Sequence, residues 1–128
     1  MPQNSWPIVT LSRLFGFYAL VLGAAFWFGG PSALSNDTYA VFRQIGETGP
    51  FPVHYEVGFA LFVTSGLILL RQTRVVGLAV AVGVFFLITL AFTITMVRYD
   101  RASWTAPVAY AFATILAAWL HSMNRAFR

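Results

Sequence analysis

The chain contains no cysteine. Disulfides, thiolate zinc sites, iron–sulfur clusters and cysteine nucleophiles are thereby excluded. It contains no lysine either: all eight positive charges are arginines, which a bias towards GC-rich codons explains without a functional reason. Charge of either sign is scarce. Only 9% of the residues are charged, against about 25% in a typical soluble domain, so water is the wrong solvent for most of this surface. The acids are Asp37, Glu47, Glu56 and Asp100 alone. No pair of groups is poised for acid–base or nucleophilic work, so the chain reads as a non-enzyme that needs no cofactor and no metal. Nothing resembles a hydrolase elbow, a phosphate loop or a zinc helix, and Gly29-Gly30-Pro31 is a helix stop. The net charge of +4 does not point to nucleic acid. The arginines stand singly or in pairs at the ends of apolar runs, which is membrane anchoring and not a phosphate-binding patch.

Apolar residues are what the chain has in abundance. They make up 59% of its 128 residues, and the mean hydropathy is +0.73. The stretch from Phe51 to Val97 organises the rest. Two apolar runs, Phe51–Leu70 and Val75–Val97, are joined by Arg71-Gln-Thr-Arg74. About 20 apolar residues at 1.5 Å rise cross a hydrocarbon core of roughly 30 Å, so this stretch predicts a hairpin of two spanning helices. Further spans are predicted over Leu11–Gly30 and Ala102–Leu120. The expected fold is all-α: one integral membrane domain over 1–128, a bundle of four antiparallel transmembrane helices over about 11–30, 51–70, 75–97 and 102–120. Arg13 followed by an apolar run also resembles a signal peptide with a cleavage region at Pro31-Ser32-Ala33, but the length of the run favours an uncleaved span. In the one long loop, Ser35-Asn36-Asp37 offers caps, Tyr39, Phe42 and Ile45 share a helical face and Gly46 ends the run. A short amphipathic helix lying in the interface is expected there.

Four spans put both termini on one side. With the termini in the cytoplasm, Arg13, Arg71, Arg74, Arg125 and Arg128 are inside, and Arg43, Arg98 and Arg101 are outside. The positive-inside rule favours this orientation in the cytoplasmic membrane. A weak internal echo links Arg13-x-x-Gly16 and Gly23 to Arg74-x-x-Gly77 and Gly83, the trace expected of a duplicated helical hairpin.

Helices in lipid associate by close backbone approach, so small residues mark contacts. Ala102, Ala106, Ala109, Ala113 and Ala117 line one face of the fourth span. The first span has Ala19-x-x-x-Gly23 and Ala25-x-x-x-Gly29, and the third has Gly77-x-x-x-Ala81 and Ala79-x-x-x-Gly83. These stripes serve packing inside the bundle, or one or two of them make a homo-oligomer or bind another membrane protein. The bulky Phe26, Trp27, Phe28, Phe85, Phe86, Tyr110 and Trp119 are then expected to face lipid or lie in the aromatic belts.

Glu56 is the sharpest chemical signal. It lies about 7.5 Å inside its apolar run, and ionisable residues within spans default to functional hypotheses. Glu56 and Thr64 share one face of the second span, and Thr89 and Thr93 share a face of the third. Together they could line a polar path with Glu56 titrating, as in a small proton-coupled transporter or channel. Alternatively Glu56 is interfacial and paired to Arg98 or Arg101, while the threonine hydroxyls bond back to their own helices. His54 and His121 begin and end different spans and are expected about 25–30 Å apart, too far to share a haem or a metal.

The order Pro31, then Tyr39-Ala-Val-Phe-Arg-Gln-Ile45, a span, Arg71 and Arg74, a span, and Ser103-Trp-Thr-Ala-Pro107-Val-Ala-Tyr110 resembles small four-span membrane proteins of tailed actinobacterial phages. Some of these are regarded as holins and many have no assigned role. The resemblance covers most of the chain from Pro31 onward and transfers no functional residue. In place of the strongly charged tail common in holins, this chain has only Arg125 and Arg128. It implies a non-enzymatic, self-associating, holin-like protein whose partners are the lipid bilayer and further copies. An accessory subunit of a larger membrane complex is the next reading, and the Glu56 transporter follows it.

Overall fold

The structure is a computed structural model, and it describes residues 6–29, 44, 53–98 and 105–126. Four helices carry these residues: α1 (Trp6–Gly29), α2 (Val53–Leu69), α3 (Arg74–Arg98) and α4 (Thr105–Ala126). A single 3-10 turn, Arg71–Thr73, links α2 to α3. The segments Trp6–Gly29, Arg71–Arg98 and Thr105–Ala126 are long and apolar enough to cross a membrane. Helix α2 is as apolar but has 17 residues, about 25 Å at 1.5 Å rise. Of the expected 51–70, Phe51 and Pro52 lie outside the described residues, and Leu70 leaves the helix with φ −82° and ψ 128°. The expected interfacial helix of the first loop also lies outside the described residues.

The helix ends differ from the apolar runs for local reasons. Helix α1 begins at Trp6, before the expected Leu11, because Pro7 falls in a first turn where its missing N–H costs nothing. Helix α4 is described from Thr105, and Pro107 stands within it. It runs on to Ala126, beyond the expected Leu120. Two side chains of this last segment tie it down. His121 Nδ1 lies 3.1 Å from the Val75 carbonyl, and Asn124 Nδ2 donates to Ser12 Oγ at 2.9 Å and to the Leu120 carbonyl at 2.7 Å. Hydrophobic windows do not detect such polar tethers.

Glycines set the closest contacts. A Cβ on Gly77 would stand 2.7 Å from Ile68 N and from the Leu67 carbonyl carbon. Those are backbone atoms, so only a glycine fits there. Gly16 presses on Ile68 and Leu69 from α1, and Gly23 and Gly58 meet backbone to backbone. The C-terminal turn of α2 is therefore gripped by α1 on one side and α3 on the other. Further along, Trp27 packs edge-on to Tyr55 with centroids 4.6 Å apart.

The core fills where α1, α3 and α4 converge. Phe85 is fully buried, edge-on to Phe15 at 5.4 Å and stacked on Tyr110 at 6.1 Å. Phe92 stacks on the other side of Tyr110 at 5.1 Å. This corrects part of the lipid-facing expectation: Phe26, Phe85 and Tyr110 are buried. Ala81, Ala113 and Ala117 are buried beside them. Such small side chains leave volume that rings must fill at interior packing density. Phe28, Phe86 and Trp119 do point outward, Phe28 with 81% exposure.

The α2–α3 connection closes on itself. Arg74 Nε donates to the Ile68 carbonyl at 3.0 Å, and its Nη2 lies 3.5 Å from the Leu69 carbonyl. Thr73 Oγ1 donates to the Leu67 carbonyl at 2.8 Å. Three carbonyls at the end of α2, which lack helical N–H donors, are thus met by the last residue of the turn and the first of α3.

Three substitutions test this account in mild detergent. Gly77→Ala forces backbone apart and should lower stability by about 1–3 kcal/mol, while Gly66→Ala, whose Cβ meets nothing within 4 Å, should cost nothing. Thermal unfolding followed by helical circular dichroism reads both. Arg74→Met removes charge-assisted bonds to backbone and should cost about 2 kcal/mol; an unchanged unfolding midpoint contradicts the closure of the turn.

Candidate functional site

The polar path read from the sequence is built from residues that spend their hydroxyls locally. Thr64 donates to the Ala60 carbonyl at 2.7 Å, Thr89 to Phe85 at 2.7 Å and Thr93 to Thr89 at 2.8 Å. Each hydroxyl has one proton, so none is left to pass on. Thr89 does approach Thr114 of α4 at 3.4 Å, but Thr114 already donates to the Tyr110 carbonyl at 2.8 Å. The structure therefore brings Thr89 to α4 through Thr114, a pairing the sequence reading did not contain. Among the described residues, no buried side-chain nitrogen or oxygen lacks a hydrogen-bond partner. Glu56 is half-buried in the first turn of α2. Arg98 is exposed at the end of α3, and the described residues include no ion pair between the two. Arg101 lies outside the described residues.

The histidines are separated as the spans require. His54 is buried at the start of α2, its ring 4.1 Å from that of Tyr55. His121 sits at the other end of the fold, on the Val75 carbonyl beside the α2–α3 turn. The length of α2 between these levels is about 22 Å. Among the described residues no group of three or more histidine, aspartate or glutamate side chains could hold a metal.

The small-residue stripes divide into two kinds. Ala19, Gly23, Gly77, Ala81, Ala113 and Ala117 are buried, and Ala106 is half-buried. These hold the four helices to one another. Gly83 and Ala109 are exposed, so of the two alternatives for these stripes they do not take the one inside the bundle. The cause is helical phase. Residues 77 and 81 fall on the core side of α3, and a shift of two residues turns Ala79 and Gly83 by about 200° to the far side. Ala79-x-x-x-Gly83 therefore forms a small-residue notch on an otherwise bulky outer face with Val76, Val80, Phe86 and Leu87. The fourth-span stripe bends the same way, since spacings of 4, 3, 4 and 4 drift off a 3.6-residue period.

An apolar cleft of about 580 Å³ opens between α1 and α4, lined by Leu14, Phe15, Tyr18, Phe112 and Leu116 among others. Ala109 and Ala113 lie along the α4 wall. The Ser12–Asn124 bond closes one end of this seam. Its lining is apolar apart from the Tyr18 hydroxyl. The sequence carried no signal for it, because a cleft arises from how two helices diverge.

The outer face of α3 is the feature with the clearest capacity to act: an apolar surface with a notch that lets another helix come close. Comparison with family models, curated proteins and solved structures found no match to the chain.

Proposed function

We propose that this chain is a non-enzymatic integral protein of the cytoplasmic membrane that acts by lateral self-association, in the manner of a holin. Its four helices run antiparallel through the bilayer with both termini in the cytoplasm. The helix contacts support the alternation, since Gly16 meets Leu69 while Gly23 meets Gly58, and Val75 meets His121 while Thr89 meets Thr114. Arginines 13, 71, 74, 125 and 128 lie on the inner side under this orientation.

The observation that carries the reading is the outward notch at Ala79 and Gly83. Water is not the solvent for a face of Val76, Val80, Phe86 and Leu87, whose exposures run from 37% to 63%. Within lipid the hydrophobic effect does not drive helices together, and close backbone approach through small residues does. A Cβ at Gly83 meets nothing within 4 Å, so the space it leaves is free for a second copy of α3. The satisfied threonine hydroxyls give no support to a proton path through Glu56.

Native mass spectrometry after gentle extraction tests the association. The wild type should emerge as a homo-oligomer. Gly83→Ile should shift it towards monomer by at least about tenfold in dissociation constant, a change of about 1.4 kcal/mol. Gly66→Ile, at an equally open site on α2, should leave it unchanged. A monomer throughout, or a fixed-ratio complex with a different polypeptide, contradicts self-association; the latter outcome makes the chain a subunit. The holin-like action has its own test: induced expression should collapse the membrane potential abruptly, and a culture that grows on normally refutes it.

A further inference from the structure

We propose that Arg13, Arg71 and Arg74 form a binding site for the phosphate group of an anionic phospholipid, where α1 meets the turn between α2 and α3. The proposal rests on the membrane reading above.

Three separate elements bring these residues together. Gly16 of α1 packs on Ile68 and Leu69. Arg13 lies three residues earlier, on the same face of α1 one turn further towards the turn. Arg74 is fastened to the carbonyls of those same two residues, Ile68 and Leu69. Arg71 follows Leu69 by two positions in the 3-10 turn. Arg13 and Arg71 thus bring two further positive charges to the end of the fold where the Arg74 guanidinium is fixed.

Such a gathering of like charge is unfavourable unless an anion joins it. No side chain among the described residues supplies one. Glu56 is the only acid among them, and it lies about 20 Å away along α2. Arg74 cannot withdraw, because it is buried and bonded to backbone at the end of α2. Arg13, Arg71 and Gln72 are exposed, so their donors are available around the fixed charge of Arg74. Guanidinium groups meet phosphate oxygens in bidentate fashion, which suits a phosphate better than a point charge does.

The surroundings select a lipid over a free phosphate. Phe17, one turn from Arg13, and Leu70, next to Arg71, are 54% and 62% exposed. Gly66 leaves an open position one turn before Leu70 on α2. An acyl chain can lie along this seam while its phosphate sits among the arginines. Basic pockets between helices on the cytoplasmic side are suited to anionic headgroups.

The test uses the full chain in mild detergent, with phosphatidylglycerol or phosphatidylcholine of identical acyl chains added and bound lipids counted by native mass spectrometry. The wild type should retain phosphatidylglycerol about thirtyfold better than phosphatidylcholine, the order expected for two arginines near a lipid surface at about 1 kcal/mol each. Arg13→Gln combined with Arg71→Gln should bring the two lipids close to parity, with helical circular dichroism unchanged because both side chains are exposed. Arg98→Gln, at the far end of α3, should keep the preference. A preference that survives the double substitution, or that Arg98→Gln abolishes equally, overturns the site. Inorganic phosphate at the same concentration should leave the bound lipid in place; displacement overturns the lipid assignment in favour of a free anion. Carbonate extraction of cell membranes separates the two claims. A chain that stays in the membrane but shows no lipid preference refutes the site alone, and a chain released by carbonate refutes the membrane reading.

Discussion

The approach of the Gly77 backbone to Leu67 and Ile68, tight enough to leave no room for a methyl group, fixes the rest of the arrangement. It sets the depth at which α3 meets α2. That depth puts Arg74 within reach of the Ile68 and Leu69 carbonyls, so packing and capping reinforce each other at one turn. Gly16 presses on the same two residues from α1. With α1 and α3 held on either side of this turn, Phe15 and Tyr18 are carried against Phe85, and the aromatic column through Tyr110 to Phe92 follows. Helix α4 then closes the other side through His121 and Asn124.

Polar groups in this fold serve the backbone. Ser12, Thr64, Thr89, Thr93, Thr95 and Thr114 each donate to the carbonyl four residues before them. That is the low-energy choice where water is scarce, because an unpaired hydroxyl in an apolar setting costs several kcal/mol. It matches the alternative in which the threonine hydroxyls bond back to their own helices. What remains for function is surface: the notch on the outer face of α3, the cleft between α1 and α4 and the arginine cluster at the α2–α3 turn. The first two are apolar and the third is basic.

Much of the fold was legible because hydropathy and length report directly on apolar helices. All four predicted runs became helices, and the loop Arg71–Thr73 fell where the polar residues stand. The boundaries were less legible. Pro7 is tolerated in a first turn, and the extension of α4 rests on Asn124 and His121 reaching other helices, which no local pattern reveals. The small-residue motifs marked the right positions but not their direction. Gly77 and Gly83 look equivalent in a list of motifs, yet one is wedged against backbone and the other faces open space. The echo between Arg13-x-x-Gly16 and Arg74-x-x-Gly77 has a structural counterpart in the first glycine of each, since both press on the end of α2, while Gly23 is buried and Gly83 is not. Burial of Phe85 and Tyr110 was invisible for a similar reason: an aromatic ring on an apolar helix fits a core and a lipid face equally well by composition.

The central claim is that α3 turns Gly77 inward to hold the fold and Gly83 outward to meet a second copy. The absence of native cysteine makes a direct test available. Single Gly83→Cys and Ala109→Cys variants, oxidised in intact membranes, compare the α3 notch with an equally exposed small-residue site on α4. The account predicts a disulfide-linked dimer from Gly83→Cys and little or none from Ala109→Cys. Efficient dimers from Ala109→Cys with none from Gly83→Cys would contradict it and move the interface to α4.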